Sequence, residues 1–433
     1  MKLMGWGRFP VIESEAYRFN SDQQLRNILS EDQQYISYGL GRSYGDSALS
    51  AHSIHTRPSR YFLNFDAENG ILTCESGVSL ADIIEFFIPK GWFVETTPGT
   101  KFVTVGGAIA SDVHGKNHHV SGCFSQSVLA FDLMLPDGSI VCCSSNNENR
   151  ELFRATCGGM GLTGVILRVT IRLKRIPSAY INETIIKTKN LRDTVDLFLE
   201  YKDVPYSVAW IDCLAQGEKL GRSLLMLGDH TENGSYKYEK KRLISVPIDM
   251  PNFTLNRFSV GAFNMLNYEK IRNRTTKHIV DLESFFYPLD AIQGWNRLYG
   301  KGGFTQYQFV LPYSAGYDGL EKILKLIAVS GIGSALSVLK LFGKENENYL
   351  SFPMEGFTLA LDFKISRNLM TLLDKLDRIV LEYGGRIYLT KDVRMSATVM
   401  EKGYPKLTQF REVRSKYQCE NKFCSLQSNR LGL

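Results

Sequence analysis

The sequence predicts an α+β protein of two domains, and three observations carry that expectation. Up to residue 176, short strands and helices alternate without the strict rhythm of a doubly wound fold. Beyond Pro177 one theme repeats, a long amphipathic helix followed by a strand. The chain has 433 residues, enough for two or three domains at about 150 residues each. No low-complexity linker interrupts it, so the domains are expected to share an extensive interface.

The elements follow from local pattern. Ser21 with Gln24 three residues on resembles a capping box, and Leu25, Ile28 and Leu29 make an apolar stripe, which predicts a helix over 21–30. A short strand at 35–38 runs into the glycine-rich turn GLGRSYGD, residues 39–46. Segments 61–65 and 70–74 alternate as a hairpin through Asn69-Gly70. Ser79 caps a helix whose apolar face is Leu80, Ile83, Ile84, Phe87 and Ile88, and Gly91 ends it. Pro136-Asp137-Gly138 turns a hairpin over 127–144. A helix at 148–156, the glycine-rich GGMGLTG and a strand at 164–173 complete the first block. In the second, NLRDTVDLFLEY precedes YSVAWID, DGLEKILKLIAVSG precedes SALSVLKLFG, and LMTLLDKLDRIVLEYG precedes GRIYLTKD. That alternation predicts one antiparallel sheet covered by helices on one face.

Composition narrows the function classes. With 44% hydrophobic and 22% charged residues the chain builds ordinary cores. The net charge of +6 is spread out, which favours anionic small ligands or anionic lipid over nucleic acid. Cys74, Cys123, Cys142, Cys143, Cys157, Cys213, Cys419 and Cys424 contain no CxxC and are expected as buried reduced thiols. The start MKLMGWGRFP lacks the apolar stretch of a signal peptide, and no apolar run reaches the about 20 residues of a membrane span. A cytoplasmic protein is expected. The basic, irregular stretch 237–258 interleaves Lys and Arg with Leu, Ile, Met and Phe. It reads as a solvated loop or, more sharply, as a mobile flap or a membrane-surface contact.

The densest chemical signal is PGTKFVTVGGAIASDVHGKNHH, residues 98–119. A Gly-Gly step among small residues lets backbone approach a flat or charged ligand, and the His, Lys and Asn that follow put polar groups at its edge. In GLGRSYGD, glycines 39, 41 and 45 can turn backbone N–H groups toward phosphate oxygens and Arg42 adds charge, although the spacing misses the dinucleotide fingerprint and an ordinary tight loop fits equally. GMGLTG does spell that fingerprint, but it follows a helix and precedes a strand, the reverse of the required context. His114, His118 and His119 lack a carboxylate partner or helical spacing, so no metal site is expected. Lys340 and Lys391 are isolated cations in apolar strands, Gln306 and Gln308 share one strand face, and Trp210 can stack on a sugar or fill the core. From the residues alone the reading stops at a two-domain cofactor enzyme with a dinucleotide-sized anionic ligand.

GLGRSYGD followed about 60 residues later by PGTKFVTVGGAIASDVHGKNHH is more specific than either part. The pair resembles the FAD-binding oxidoreductases of the vanillyl-alcohol-oxidase type, with their PCMH-type FAD domain. The likeness continues through GWGR, LFRATCGGMGLTGVI, AWIDCLAQGEKLGR, YPLD, GGFTQYQFVLP, LKLFG, LSFP and GGRIYLTKD, nearly the whole chain. Within that family it is most similar to the oxidases of decaprenylphosphoryl-ribose. The resemblance implies an FAD domain over 1–176, completed by 386–433, and a substrate domain over 177–385. It implies that Gly39, Leu40, Gly41, Arg42, Ser43, Tyr44, Gly45 and Asp46 hold the FAD pyrophosphate. Gly99, Thr104, Val105, Gly106, Gly107, Ser111, Asp112, Val113 and His114 would line the flavin, with Ile166 and Tyr388 completing its contacts. Lys116, Trp210, Gln306, Gln308, Lys340 and Lys391 would face the substrate, with Lys391, Tyr44 and His114 in catalytic positions. FAD is expected to be held without a covalent bond. The implied reaction oxidises the C2 hydroxyl of a lipid-linked sugar phosphate, a polyprenyl-phosphoryl ribose, as the first half of an epimerisation completed by a short-chain reductase partner. A soluble aldonolactone or sugar-alcohol substrate, and a non-catalytic flavin subunit, are the competing readings. The chain departs from the family's pattern at Ala360, where a cysteine is expected, at Thr358 for an asparagine and at Phe286 for a tyrosine.

Overall fold

Two large antiparallel sheets organise the computed structural model, which describes every residue except 233, 240–243 and 252. In the first, Val165–Arg175 is central: Val128–Met134 pairs along one side, and Ile71–Glu75 and Trp92–Val94 pair along the other. Ile140–Cys143 and Phe62–Asp66 close its edges. A small parallel sheet of Glu15–Arg18, His52–His55 and Ile36–Tyr38 lies before it in sequence. The second sheet has eight strands, all paired antiparallel, in the order Thr275–Asp281, Tyr180–Thr188, Ser223–His230, Tyr206–Ile211, Ser337–Phe342, Gly356–Lys364, Phe304–Pro312, Arg386–Ile387. The two sheets meet in sequence at residues 176–179, between the strand ending at Arg175 and the one starting at Tyr180.

Local chemistry explains the helices. Ser79 and Asp82 form a reciprocal capping box at the start of Leu80–Phe87, and Gly91 (φ 79°) ends that segment in the left-handed conformation. The Ser21 side chain accepts from the Gln24 amide as expected, but Gln24 reaches back to the Asn20 amide rather than to Ser21. The long helices Tyr313–Ser330 and Arg367–Glu382 each bury one apolar stripe, including Leu320, Ile323, Leu324 and Ile327 on the first and Leu369, Leu372, Leu373 and Leu376 on the second. One apolar core runs through both large sheets without a break.

Three expectations need correcting. The strand predicted over GRIYLTKD is only Arg386–Ile387, and Leu389–Lys391 is a tight 3₁₀ turn, so Lys391 does not sit on a strand. Because Arg386–Ile387 pairs with Phe304–Pro312, residue 386 falls within the second sheet. Cys142 is exposed while the other seven thiols are buried, because it lies on an edge strand facing outward. All eight are free.

The C-terminal segment returns to the first body. Tyr35 bridges Phe423, and a second core joins Leu25, Leu29, Tyr35 and Ile54 with Cys419 and Phe423. Arg414 is 2% exposed and donates to the carbonyls of Leu162 and Phe423. Arg414→Met removes the guanidinium and leaves those buried carbonyls without donors. At about 1–3 kcal/mol for each of the two orphaned groups, urea unfolding should show a loss of about 2–6 kcal/mol.

Candidate functional site

A large cavity of about 840 Å³ lies between the glycine-rich N-terminal loops and the second sheet. That volume suits a large organic ligand, since ligand pockets run from about 300 to 1,000 Å³. Three features of its wall suit FAD. The loop after the strand Ile36–Tyr38 turns through Gly41 at φ 61°, a conformation that favours glycine. The backbone N–H groups of Leu40, Gly41, Arg42 and Ser43 find no acceptor among the described residues, as a phosphate cradle requires. The hydroxyls of Ser37 and Ser76 and the Nδ1 of His114 line the same cavity, buried and without partners among the described residues; such groups ask for a ligand.

The segment 98–119 carries local structure that its composition hid. Thr104 accepts from the Gly107 amide and caps a short helix, Val105–Ala110. Any side chain at Gly106 would press on Ser76, with its Cβ only 3.0 Å from the Ser76 Cβ. The Gly-Gly step thus lets helix backbone reach the cavity wall. Gly39, Gly99, Thr104, Gly106, Gly107, Ser111, Val113, His114, Ile166 and Tyr388 line the cavity, as do Leu40, Gly41, Arg42, Ser43 and Tyr44.

Gly45, Asp46, Val105 and Asp112 lie outside that wall. Gly45 packs against the Asp392 backbone, leaving no room for a Cβ. Asp46 is taken by Arg430 at 2.8 Å. Val105 is in the core. Asp112 (φ 37°) is fully buried and accepts from the Ser125 amide, Asn346, Asn348 and Ser351, so it ties the flavin-side loop to the segment before the strand Gly356–Lys364.

On the same cavity wall Lys116, Trp210, Gln306, Gln308, Lys340 and Lys391 come together from five separate segments. Trp210 commits its indole N–H to the Ala335 carbonyl, leaving its ring to the cavity. Gln308 sits 2.9 Å from His114 Nε2 and donates to Thr358, which itself donates to the Phe309 carbonyl. His114 is ringed by Phe342, Phe352 and Tyr388. Burial, then the charge of Lys340, holds its pKa well below the ordinary histidine range, so it is a neutral imidazole. The other histidines diverge: His118 accepts from the Gly343 amide and His119 turns to the Val204 carbonyl.

The lysines are the electrostatic centre. Burial lowers Lys340 to about 8. Burial, opposed by Glu183, lowers Lys116 to about 7, and its ammonium donates to the Phe285 carbonyl. Lys391 is lowered by burial and partly restored by Asp362, and it lies 3.8 Å over the Tyr44 ring. Lys340 and Lys391 are half-buried by area, their open side facing the cavity, which explains why both retain some exposure yet behave as desolvated.

Sequence reasoning missed several wall residues. Ser76 carries no motif of its own, and Ser37, Met160 and Asp290, though within recognised segments, are not singled out by them; only folding brings them there. GMGLTG does reach the cavity through Met160, Gly161 and Gly164, in keeping with its glycines serving close packing beside a cofactor. Of the three departures from the family pattern, Ala360 and Phe286 are on the wall, whereas Thr358 is buried behind it.

A family model described as an FAD binding domain matches residues 20–144. The chain is 34% identical, over all of its length and 97% of the relative, to decaprenylphosphoryl-beta-D-ribose oxidase of Mycolicibacterium smegmatis. It is 31% identical, over 82% of its length and all of the relative, to an uncharacterized protein of Streptomyces coelicolor. L-gulonolactone oxidase of Bos taurus is 29% identical over 46% of each chain.

A lysine whose pKa is depressed on folding costs stability wherever the folded state must carry its charge. For Lys340 that range lies below its folded value of about 8 and fades toward the unfolded value, near 10.4. In FAD-free protein, Lys340→Met should therefore raise the melting temperature by about 2 °C or more at pH 6. The gain should shrink steadily as pH rises toward 10. A gain independent of pH would contradict this account.

Proposed function

The chain belongs to the FAD-binding oxidoreductases that include decaprenylphosphoryl-β-D-ribose oxidase, and from that premise we propose that it oxidises the C2 hydroxyl of a polyprenyl-phosphoryl ribose to the 2-keto sugar. This is the first half of an epimerisation toward arabinose for cell-envelope glycan. The observation that carries the reading is identity of 34% along the whole chain to that oxidase, whereas the likeness to the lactone oxidase spans 46% of each chain.

The FAD, held without a covalent bond, supplies the hydride acceptor. The protein's residues do the rest. His114, already engaged with Gln308, would help hold the flavin from the cavity wall. Lys340 and Lys116 attract the phosphate of the substrate, and Gln306 and the Trp210 face orient the sugar. Lys391 Nζ takes the proton from the C2 oxygen: burial keeps a neutral fraction available near neutral pH, and Tyr44 holds the amine over its ring. A separate reductase of the short-chain type then reduces the keto sugar from the opposite face.

The lipid tail leaves toward a membrane at the cytoplasmic inner face. No helix among the described residues is long and apolar enough to cross one, so contact is peripheral. Of the expected basic stretch 237–258, residues 240–243 and 252 lie outside the described residues, while Ile244, Ile248 and Phe253 are exposed. The adjoining helix Arg257–Glu269 buries only Val260, Asn264 and Tyr268. Its other side offers Phe258 (86% exposed), Leu266 (67%), Met265 and Phe263. The cavity reaches Asn267 and Lys270 at the end of this helix, and Arg257, Lys270, Arg272 and Arg274 lie at its two ends in sequence. Apolar side chains rimmed by cations suit an anionic lipid surface.

Two measurements test this reading. Anaerobic polyprenyl-phosphoryl ribose should bleach the yellow holoenzyme. Lys391→Met should stay yellow and bleach at least about 100-fold more slowly, the scale of a lost general base. Bleaching by free aldonolactone alone would instead make this a soluble-substrate oxidase. Separately, the protein should sediment with vesicles containing phosphatidylglycerol. The double variant Phe258→Asp/Leu266→Asp should bind at least about tenfold more weakly, since each apolar side chain contributes about 1.5–3 kcal/mol on burial. Equal binding by the variant would rule out this face.

A further inference from the structure

One buried ionisable group in the site has no role in the chemistry above. Asp362 lies on the strand Gly356–Lys364, directly opposite Gln306, and is 1% exposed. Gln306 donates to its Oδ1 at 2.5 Å. Its Oδ2 is buried and makes no well-formed hydrogen bond among the described residues, the Tyr299 hydroxyl acting on the carboxylate only weakly. A buried carboxylate oxygen so poorly satisfied is costly unless a charge elsewhere compensates it. The opposite charge acting on it is that of Lys391, which is not in ion-pair contact with it but stands over the Tyr44 ring in the cavity wall that Gln306 shares.

We propose that Asp362 is a positioning residue for the oxidation: a buried carboxylate, hydrogen-bonded to Gln306 of the cavity wall, that sets the proton affinity of Lys391. This inference rests on the placement of Lys391 beside the flavin. The groups around the pair are few. Asp362 is faced by Lys391 from the turn Leu389–Lys391, by Tyr44 from the glycine-rich loop and by Tyr299 from the turn Trp295–Tyr299. Lys391 is faced by Asp362, by Lys340 on the neighbouring strand and by neutral His114. Burial alone would drive Asp362 toward its acid form and Lys391 toward its free amine. Each charge supports the other. When Nζ takes the proton from the substrate oxygen, the carboxylate stays ionised and stabilises the ammonium that forms. Gln306 holds the carboxylate from one side, which ties substrate orientation to base strength.

The test uses the holoenzyme of Asp362→Asn, which keeps shape and loses charge. Where Lys391 titrates, the midpoint potential of the bound flavin should break in slope against pH, and Lys391→Met should abolish that break. In Asp362→Asn the break should move to lower pH by about one unit or more, the usual effect of removing an opposite charge. The acid limb of the bleaching rate should move with it. A residue with only a packing role would lower the rate at every pH and leave the break in place, and that result overturns the proposal, as does a break that survives Lys391→Met. If Asp362→Asn fails to retain FAD, Tyr299→Phe replaces it: losing the hydroxyl makes Asp362 easier to protonate, so the break should move the same way by less, and an unmoved break is again fatal. Because the potential is read without substrate, a break that moves in protein the sugar does not bleach leaves this proposal standing and refutes the substrate assignment alone.

Discussion

The site depends on keeping three ammonium groups in a space that water reaches poorly. Lys116, Lys340 and Lys391 line one cavity, and burial does the most to depress the proton affinity of each. Packed cations destabilise the empty protein and favour whatever brings negative charge to the cavity. A phosphorylated substrate and an electron-rich flavin edge both do so. The same desolvation that costs stability brings the amines into the range where they exchange protons near neutrality.

The surroundings hold this arrangement in place without relying on the ligand alone. Asp112 gathers Ser125, Asn346, Asn348 and Ser351, so the loop carrying Ser111 and His114 is fastened across to the segment leading into the strand with Ala360 and Asp362. Tyr388 binds the same loop from another direction, through its hydroxyl to the Ser111 carbonyl and its amide to the Gln308 carbonyl. On the rim, Lys101, Glu283 and Tyr238 join in a buried cluster, and Asp290 accepts from the Lys101 amide. The cavity wall is therefore assembled from both halves of the chain, which is why the core is continuous across them.

Two kinds of signal were legible in the residues and one was not. Caps and apolar stripes placed the helices after Ser79, Pro312 and Ser366 within a few positions, because those patterns are local. The glycine-rich loops announced close backbone approach, and Gly41 and Gly106 do occupy such places. GRIYLTKD misled, because its alternation looks like a strand while only Arg386 and Ile387 find a partner on Phe304–Pro312. Pairing is a property of two segments, and nothing in one of them reports it. Asp112 misled in a similar way: its neighbours in sequence face the cavity, but its own backbone turn aims the carboxylate into the protein.

The sequence by itself determined the periodicities, the caps, the bare-backbone segments and the resemblance to a flavoprotein family, because each is written in residues close together along the chain. Which cations share a cavity, which carboxylate answers them and which hydroxyls are left waiting for a ligand were decided only in three dimensions. Asp362 lies 29 positions before Lys391 and 56 after Gln306. Their energies depend on burial and separation, quantities that do not exist until the sheet brings them together.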